Sequence, residues 1–361
     1  MTTLDIPYIR LHTQRIAGTP FKRPEDAVTW LDAVQAQDYA GAKWALGLRT
    51  EGATDADIDR AFNDGTILRT HVLRPTWHFV MPADIRWMLE LTSPRVHSFN
   101  AYYYRKLQLD DATFARSDEV LAKALEGGKY LTRTELASAL KQAGIDTQEL
   151  LRVGLMIMHA ELEGVICSGP RRGKQFTYAL LEERAPTAIK LGRNEALGEL
   201  SRRYFVAHGP ATVQDYKWWS GLSAADAKAG LEMVRPQLMS EVVDDRTYWY
   251  AEGKPYTKGS SPTAYLLPNY DDYSIGYTNH DATFEASQVE SHDRATSLIF
   301  AHTIVIDGQI VGSWKRIFGK GSVVITLKPF KLLSDAESRA VGAAADKYGE
   351  FLGMPVVLAE G

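Results

Sequence analysis

The chain has 361 residues, which suits about two to four domains rather than one small core. Its 45% hydrophobic and 24% charged residues are ordinary for a globular protein. Forty-one basic against 45 acidic residues give a net charge of −4, which argues against a uniformly basic nucleic-acid binder but allows a local basic face on an acidic body. Cys167 is the only cysteine, so an internal disulfide and a cysteine zinc cluster are excluded. The stretch Met1–Asp5 has no charged segment leading into an apolar one, and no run of about 18 apolar residues follows. A cytoplasmic monomer without a membrane span is expected, nucleoid-associated in a bacterium.

In chain order, Ile9–Arg15 is a short lead-in. Pro24 opens the first strong helix, with Glu25 and Asp26 in the dipole-favoured first turn and an apolar pattern that runs through Val34. A second helical pattern covers Tyr39–Leu48, and a third begins behind the cap Thr54. Ile67–Val80 is rich in β-branched and aromatic residues and broken by Pro75, which predicts two short strands with a bend. Helical segments at Pro82–Leu89 and Arg95–Leu107 close this first unit.

A second unit is expected from about residue 110. It has helices at Asp118–Leu125, Leu131–Leu140 and Leu151–Glu163, then a hairpin with the basic tip Arg171-Arg172-Gly173-Lys174. A third begins near residue 190, with helices at Ala196–Ala207, within Ala211–Ser220 and at Ala224–Met233, and a strand at Glu241–Tyr250. The three form a loose repeat of winged-helix order. From about residue 262 the pattern becomes β-rich. Thr303–Ile306 and Gln309–Arg316 flank the turn Asp307-Gly308 as a hairpin, and Ser334–Leu352 is an amphipathic helix. The expected fold is α+β, with winged-helix units at 1–108, 109–188 and 189–260 and a barrel-like β-domain at 261–361.

One stretch stands out between the first two helical patterns: Gln35-Ala36-Gln37-Asp38. Other segments are equally distinctive. They are Arg69-Thr70-His71-Val72-Leu73-Arg74-Pro75-Thr76-Trp77-His78, His208-Gly209-Pro210-Ala211-Thr212, Trp218-Trp219-Ser220-Gly221-Leu222, Leu266-Leu267-Pro268-Asn269-Tyr270-Asp271, and Asp307-Gly308 with Gly312-Ser313-Trp314-Lys315-Arg316. With these segments the chain resembles the winged-helix DNA glycosylases of the AlkZ and YcaQ type. Their catalytic motif is Gln-x-Gln in the AlkZ branch and Gln-x-Asp in the YcaQ branch, so Gln35 and Gln37 resemble the former. The resemblance implies a monofunctional glycosylase for cationic N7-alkylpurines, including bulky natural-product adducts and interstrand crosslinks, in repair or self-resistance. It implies double-stranded DNA carrying alkylated purines as partner and no cofactor.

The chemistry suits amides. An N7-alkylated purine is already cationic and leaves without a general acid, so the site must stabilise an oxocarbenium-like sugar and place a water. A carboxamide oxygen can accept the water's hydrogen bond and turn its dipole toward positive charge. In a helix, residues two apart point nearly opposite ways, so convergence of Gln35 and Gln37 demands a helix end or extended backbone. Asp38 has two readings, as a charged support for the pair or as the N-cap of the next helix.

The remaining candidates are basic. Arg69, His71 and Arg74 suit phosphates beside a lesion or structural ion pairs. Arg171, Arg172 and Lys174 form a wing suited to phosphates. Lys315, Arg316 and Lys320 flank a turn suited to the minor groove or to solvation. His71 and His78 lack a third ligand at suitable spacing, and no metal site is expected anywhere in the chain. Two non-enzymatic readings stay open: a winged-helix regulator or lesion sensor, and a protein that sequesters the alkylating agent.

Overall fold

A computed structural model describes residues 4–253, 259, 261–284 and 300–360. After α1 (Ile6–Thr13), the first unit runs α2 (Pro24–Leu31), β1 (Ala33–Gln35), α3 (Tyr39–Arg49), α4 (Asp55–Asp64), β2 (Leu68–His71) and β3 (Trp77–Val80). A single long helix, α5 (Ile85–Lys106), continues through Pro94 and replaces the two expected segments. The same order returns in α6 (Asp111–Leu125), β4 (Leu131–Thr132), α7 (Arg133–Gln142), α8 (Leu150–Leu162), β5 (Ile166–Ser168) and β6 (Thr177–Leu180). After the short α9 (Leu181–Arg184), it returns again in α10 (Arg193–His208), α11 (Val213–Ser220), α12 (Ala224–Val234), β7 (Leu238–Val243) and β8 (Arg246–Ala251). There a single bridge, Ala211 with Trp249, stands where the first strand stood in the earlier units.

Local chemistry sets these boundaries. Thr54, Thr132 and Thr212 each form a reciprocal capping box with an acidic residue in the first turn of the helix that follows, so three helix starts share one device. The helix opened by Pro24 stops at Leu31, short of the expected Val34, because Asp32 adopts a left-handed φ of 71°. Ala33–Gln35 then pairs antiparallel with β3, Gln35 opposite His78. Apolar Ala33 and Val34 fit a buried strand as well as a helix face, which is why periodicity overran the end. The expected strand at 241–250 is a hairpin turning at Asp244 and Asp245, both in the left-handed region.

The C-terminal part adds β9 (Ala264–Leu267), α13 (Asp272–Ile275), β10 (Thr303–Ile306), β11 (Gln309–Phe318), β12 (Val323–Pro329), α14 (Asp335–Leu352) and β13 (Val356–Glu360). These strands form an open sheet in the order β13-β12-β11-β10-β9, with only the β12–β13 pair parallel. Among the described residues its edges are β13 and β9, so the barrel-like expectation is corrected to an open sheet packed on α14.

That sheet does not form a core of its own. Val28, Trp44 and Phe62 of the first unit share one apolar cluster with Leu266, Ile304, Trp314 and Tyr348. Trp44 Nε1 donates to the Leu266 carbonyl at 2.7 Å, and its ring lies 4.9 Å from Tyr348. Beside this seam the buried Arg49 on α3 donates to both carboxylate oxygens of Asp271 at 2.9 Å, and to the carbonyls of Gln14 and Ala45. Burial alone would lower the Arg49 pKa, but Asp271 more than offsets it and the net shift is upward. Arg49→Met should therefore cost about 3–5 kcal/mol in denaturant unfolding by stranding a buried carboxylate, and the double variant Arg49→Met/Asp271→Leu should recover most of that loss.

Candidate active site

The two glutamines sit where β1 runs out. Gln35 is its last residue, and Ala36 continues the extended course by donating its N–H to the Trp77 carbonyl at 2.7 Å. Residues i and i+2 of an extended segment face the same way. The backbone therefore meets the convergence condition that a helix would have violated. Ala36 between them is fully buried, whereas Gln35 is half-buried and Gln37 exposed.

Each amide has a distinct partner. The Arg74 guanidinium donates to Gln35 Oε1 at 2.9 Å, and the Trp77 N–H approaches Gln37 Oε1 at 3.4 Å. The Gln35 oxygen is thus held firmly, while the Gln37 amide is held loosely at the surface. Asp38 is the N-cap of α3: its Oδ1 accepts from the N–H groups of Ala40 and Gly41, both at 3.1 Å. That geometry gives Asp38 the capping role of its two readings.

Arg69 and His71 are corrected from phosphate contacts to buried supports. Arg69 Nε donates to the Ala36 carbonyl at 3.1 Å, from a guanidinium held between the rings of Trp77 (4.3 Å) and Phe176 (4.5 Å). Burial pushes its pKa down to about 10. It therefore grips the peptide between the two glutamines. His71 Nδ1 lies 2.6 Å from Glu161 of α8, and the two side chains are almost wholly buried. His78, opposite Gln35, is buried and held by the Thr76 carbonyl; burial, then the nearby Arg74 charge, push its pKa down to about 3.

The third unit and the C-terminal loop close the site from behind. The Arg74 guanidinium lies 5.7 Å from the ring of Trp218, which is 44% exposed and donates to the Ile275 carbonyl. Asp272 is buried and accepts from Trp219 Nε1 at 3.0 Å, with His208 at 3.6 Å. Burial alone would raise the Asp272 pKa, but His208 and Arg49 more than offset it, and it is held as a carboxylate. Gly221, in the left-handed region at φ 70°, lets the Leu73 carbonyl approach to 2.2 Å from where a Cβ would stand, which seats the hairpin carrying Arg74 against α11.

The other basic candidates lie outside this cluster. Arg171 is half-buried against Tyr39 and Phe176 and lies 3.6 Å from Asp59, and Arg172 pairs with Glu135 at 2.8 Å. Lys174, Lys315 and Lys320 are exposed, and Arg316 is half-buried over Tyr348. Trp77 and Trp218 lie in segments that carry the family resemblance, but sequence assigned them no site role, and Phe176 was not singled out, since the contacts of all three are made across units.

The fold and site define a protein of repeated helix–strand units with one half-buried and one exposed amide on the motif and its carboxylate, Asp38, used as a helix cap. Among known proteins, the family model for AlkZ-like DNA glycosylases matches residues 28–351, and the chain belongs to that family. It is 24% identical over 312 residues to the interstrand DNA cross-link repair glycosylase of Streptomyces sahachiroi, covering 81% of this chain and 82% of that protein. It also resembles the solved structure of Streptomyces sahachiroi DNA glycosylase AlkZ, with a TM-score of 0.78 and 20% identity over 98% of each chain. The chain is a DNA glycosylase, and the non-enzymatic readings fall away.

Arg69→Leu removes the grip on Ala36 without touching either glutamine. It should lower single-turnover base excision by about 10- to 100-fold while leaving affinity for undamaged DNA within about twofold, measured on one DNA duplex.

Proposed function

We propose that this glycosylase hydrolyses the N-glycosidic bond of cationic N7-alkylpurines, bulky adducts and crosslinks included, with Gln35 and Gln37 as its catalytic residues. The carrying observation is that two amides flank the buried Ala36 at the end of β1, Gln35 bonded to Arg74 and Gln37 exposed, while the neighbouring Asp38 carboxylate is committed to capping α3. The crosslink-repair name of its 24% identical relative supports the lesion class.

In the proposed reaction the C1′–N9 bond breaks and its electron pair neutralises the cationic purine. A water oxygen bonds to C1′, and the surplus proton passes to solvent. Gln35, fixed by Arg74, points its amide at the sugar. Gln37, more weakly held, positions the water. The buried Asp272 carboxylate offsets the Arg74 charge, so the site does not repel a cationic base. A Gln cannot accept the water's proton, which limits the enzyme to bases that leave unaided.

The repeated α-β-α-α-β-β order supports three winged-helix units with the boundaries 1–108, 109–188 and 189–260, and an open-sheet domain at 261–361. On them, Lys174 on the second wing and the β11–β12 hairpin form the proposed duplex footprint. That hairpin carries Lys315 and Lys320 beside Ile317 and Phe318, which are 66% and 56% exposed, a composition suited to the minor groove. Among the described residues, no helix is long and apolar enough to cross a membrane.

Three measurements test this reading. Excision of N7-methylguanine, a bulky N7 adduct and a crosslink by Gln35→Ala/Gln37→Ala should fall at least about 100-fold in single-turnover assays; wild-type rates in the double variant would sink the assignment. Excision by the wild type should show no step from the glutamines or from His78 between about pH 6 and about pH 8, because amides do not titrate and the His78 imidazole stays neutral there; the group in that window is Asp32, which burial pushes up to about 7, so a single fall in rate toward pH 6 that is lost in Asp32→Asn is the expected profile. Neutralising Lys174, Lys315 and Lys320 together should flatten the dependence of DNA affinity on salt by about 2 to 3 log units per log unit, and an unchanged slope would remove them from the footprint.

A further inference from the structure

A second cluster of ligand-type side chains lies away from the glutamines, where α5 meets α8. His97 on α5 and His159 and Glu163 on α8 present donor atoms that all lie within 4.8 Å of one another. His159 lies in the last turn of α8 and Glu163 caps its end, so the two share one helix face at i and i+4. His97 Nε2 is 2.9 Å from Glu163 Oε1, and the two imidazole rings are 5.0 Å apart.

The surroundings are those of a metal centre as much as of an ion pair. Each histidine has its Nδ1 already engaged: His159 by Asp118 of α6 at 3.0 Å, His97 by the Tyr104 hydroxyl at 3.0 Å. The remaining nitrogen of His159, Nε2, faces a ligand role directly, while that of His97 is held by Glu163, so a metal ion would replace the His97–Glu163 hydrogen bond. A carboxylate on the far nitrogen of a ligating imidazole fixes its tautomer and raises its basicity. Phe114 stacks flat on the His159 ring, 3.9 Å away at 7°, and fixes its plane. An open recess lined by Arg86, Glu90, Ser93, His97 and Glu163 gives access from solvent.

We propose that His97, His159 and Glu163 bind one zinc-class divalent ion, with Asp118 and Tyr104 as outer-shell partners and water completing a tetrahedron. Two imidazoles and one carboxylate suit Zn²⁺ or Co²⁺ and disfavour Mg²⁺ and Ca²⁺, which prefer all-oxygen sets. Closing the donors to bonding distance requires the two imidazoles to draw together as well as a rotation of Glu163, whose side chain is 50% exposed. No metal site is expected anywhere in the chain from sequence, and the cluster departs from that expectation. This set joins residues from two segments that sequence spacing does not relate. The ion would clamp α8 to α5 and, through Asp118, to α6. Because α8 also carries Glu161, the partner of His71 behind the strand pair, the clamp would fix the second unit against the motif-bearing one.

The test uses the untagged full-length chain, stripped with a chelator. Titration with Co²⁺ should produce the visible absorption of a tetrahedral site at one equivalent, and Zn²⁺ should displace it and raise the melting temperature by a few degrees where Mg²⁺ does not. Glu163→Gln, at an exposed position with little packing to lose, and His159→Gln should each weaken binding at least about tenfold. Asp118→Asn should weaken it about tenfold with the Co²⁺ spectrum retained, as an outer-shell partner would. Absence of a Co²⁺ spectrum in the wild type, or equal Zn²⁺ affinity in Glu163→Gln and His159→Gln, would overturn the site.

Discussion

The Arg49–Asp271 pair fixes the relation between the first unit and everything after residue 264. It is bidentate and fully buried, and it also ties in Gln14 and the backbone of α3. A buried ion pair is weak support for stability in itself, because desolvation consumes most of its attraction. Its value here is positional. Both carboxylate oxygens of Asp271 meet the guanidinium, and Tyr270, just before it, takes a left-handed φ of 60°. Asp272, next along, is thereby delivered under Trp219 and beside His208. The apolar seam through Trp44, Trp314 and Tyr348 then holds the sheet where the ion pair has registered it.

From there the constraint passes to the site by electrostatics. Arg74 is drawn down toward the interior, where burial lowers its pKa and Asp272 opposes that shift. A charged guanidinium there must spend its donors, and one goes to Gln35 Oε1. The arrangement has a chemical consequence. With Asp272 ionised, the charges behind Gln35 nearly cancel, and His78 adds none. In the proposed reaction Gln35 meets the sugar as an oriented dipole backed by the opposed charges of Arg74 and Asp272, the condition under which a dipole can discriminate a developing cation.

Much of this was legible in the sequence, for identifiable reasons. Capping threonines, the Asp307-Gly308 turn and the broken strand pair around Pro75 are local signals, and the elements they predict are present. The helix overrun at Val34 and the imagined barrel failed where local signals are ambiguous: two apolar residues fit either period, and strand content does not say whether a sheet closes. At the site, Gln35 and Gln37 were visible as a motif, and Asp38 as a cap. The roles of Arg69 and Asp272 were not, because Arg69 reports on Phe176 and Asp272 on Trp219, partners on other units. A charged residue in a strand reads as a surface residue until the element that buries it is known.

The turn at Asp32 shows why one backbone position governs the chemistry. Had α2 continued through Gln37, the glutamines would stand about 200° apart around its axis and could not address one nucleotide. A left-handed non-glycine residue costs on the order of 1 kcal/mol, yet it converts the helix into a strand one residue before β1. The cost is met from another unit: Arg203 of α10 donates to Asp32 at 2.8 Å and to Asp84 at the start of α5. The same guanidinium therefore holds the helix end that releases the motif and the helix that follows the strand pair. Asp32 is buried and bonded to Arg203, so its identity is set by this turn rather than by contact with a substrate. A glycosylase that needs two amides on one face must first break a helix at the right residue, and here a residue of the third unit stabilises that break.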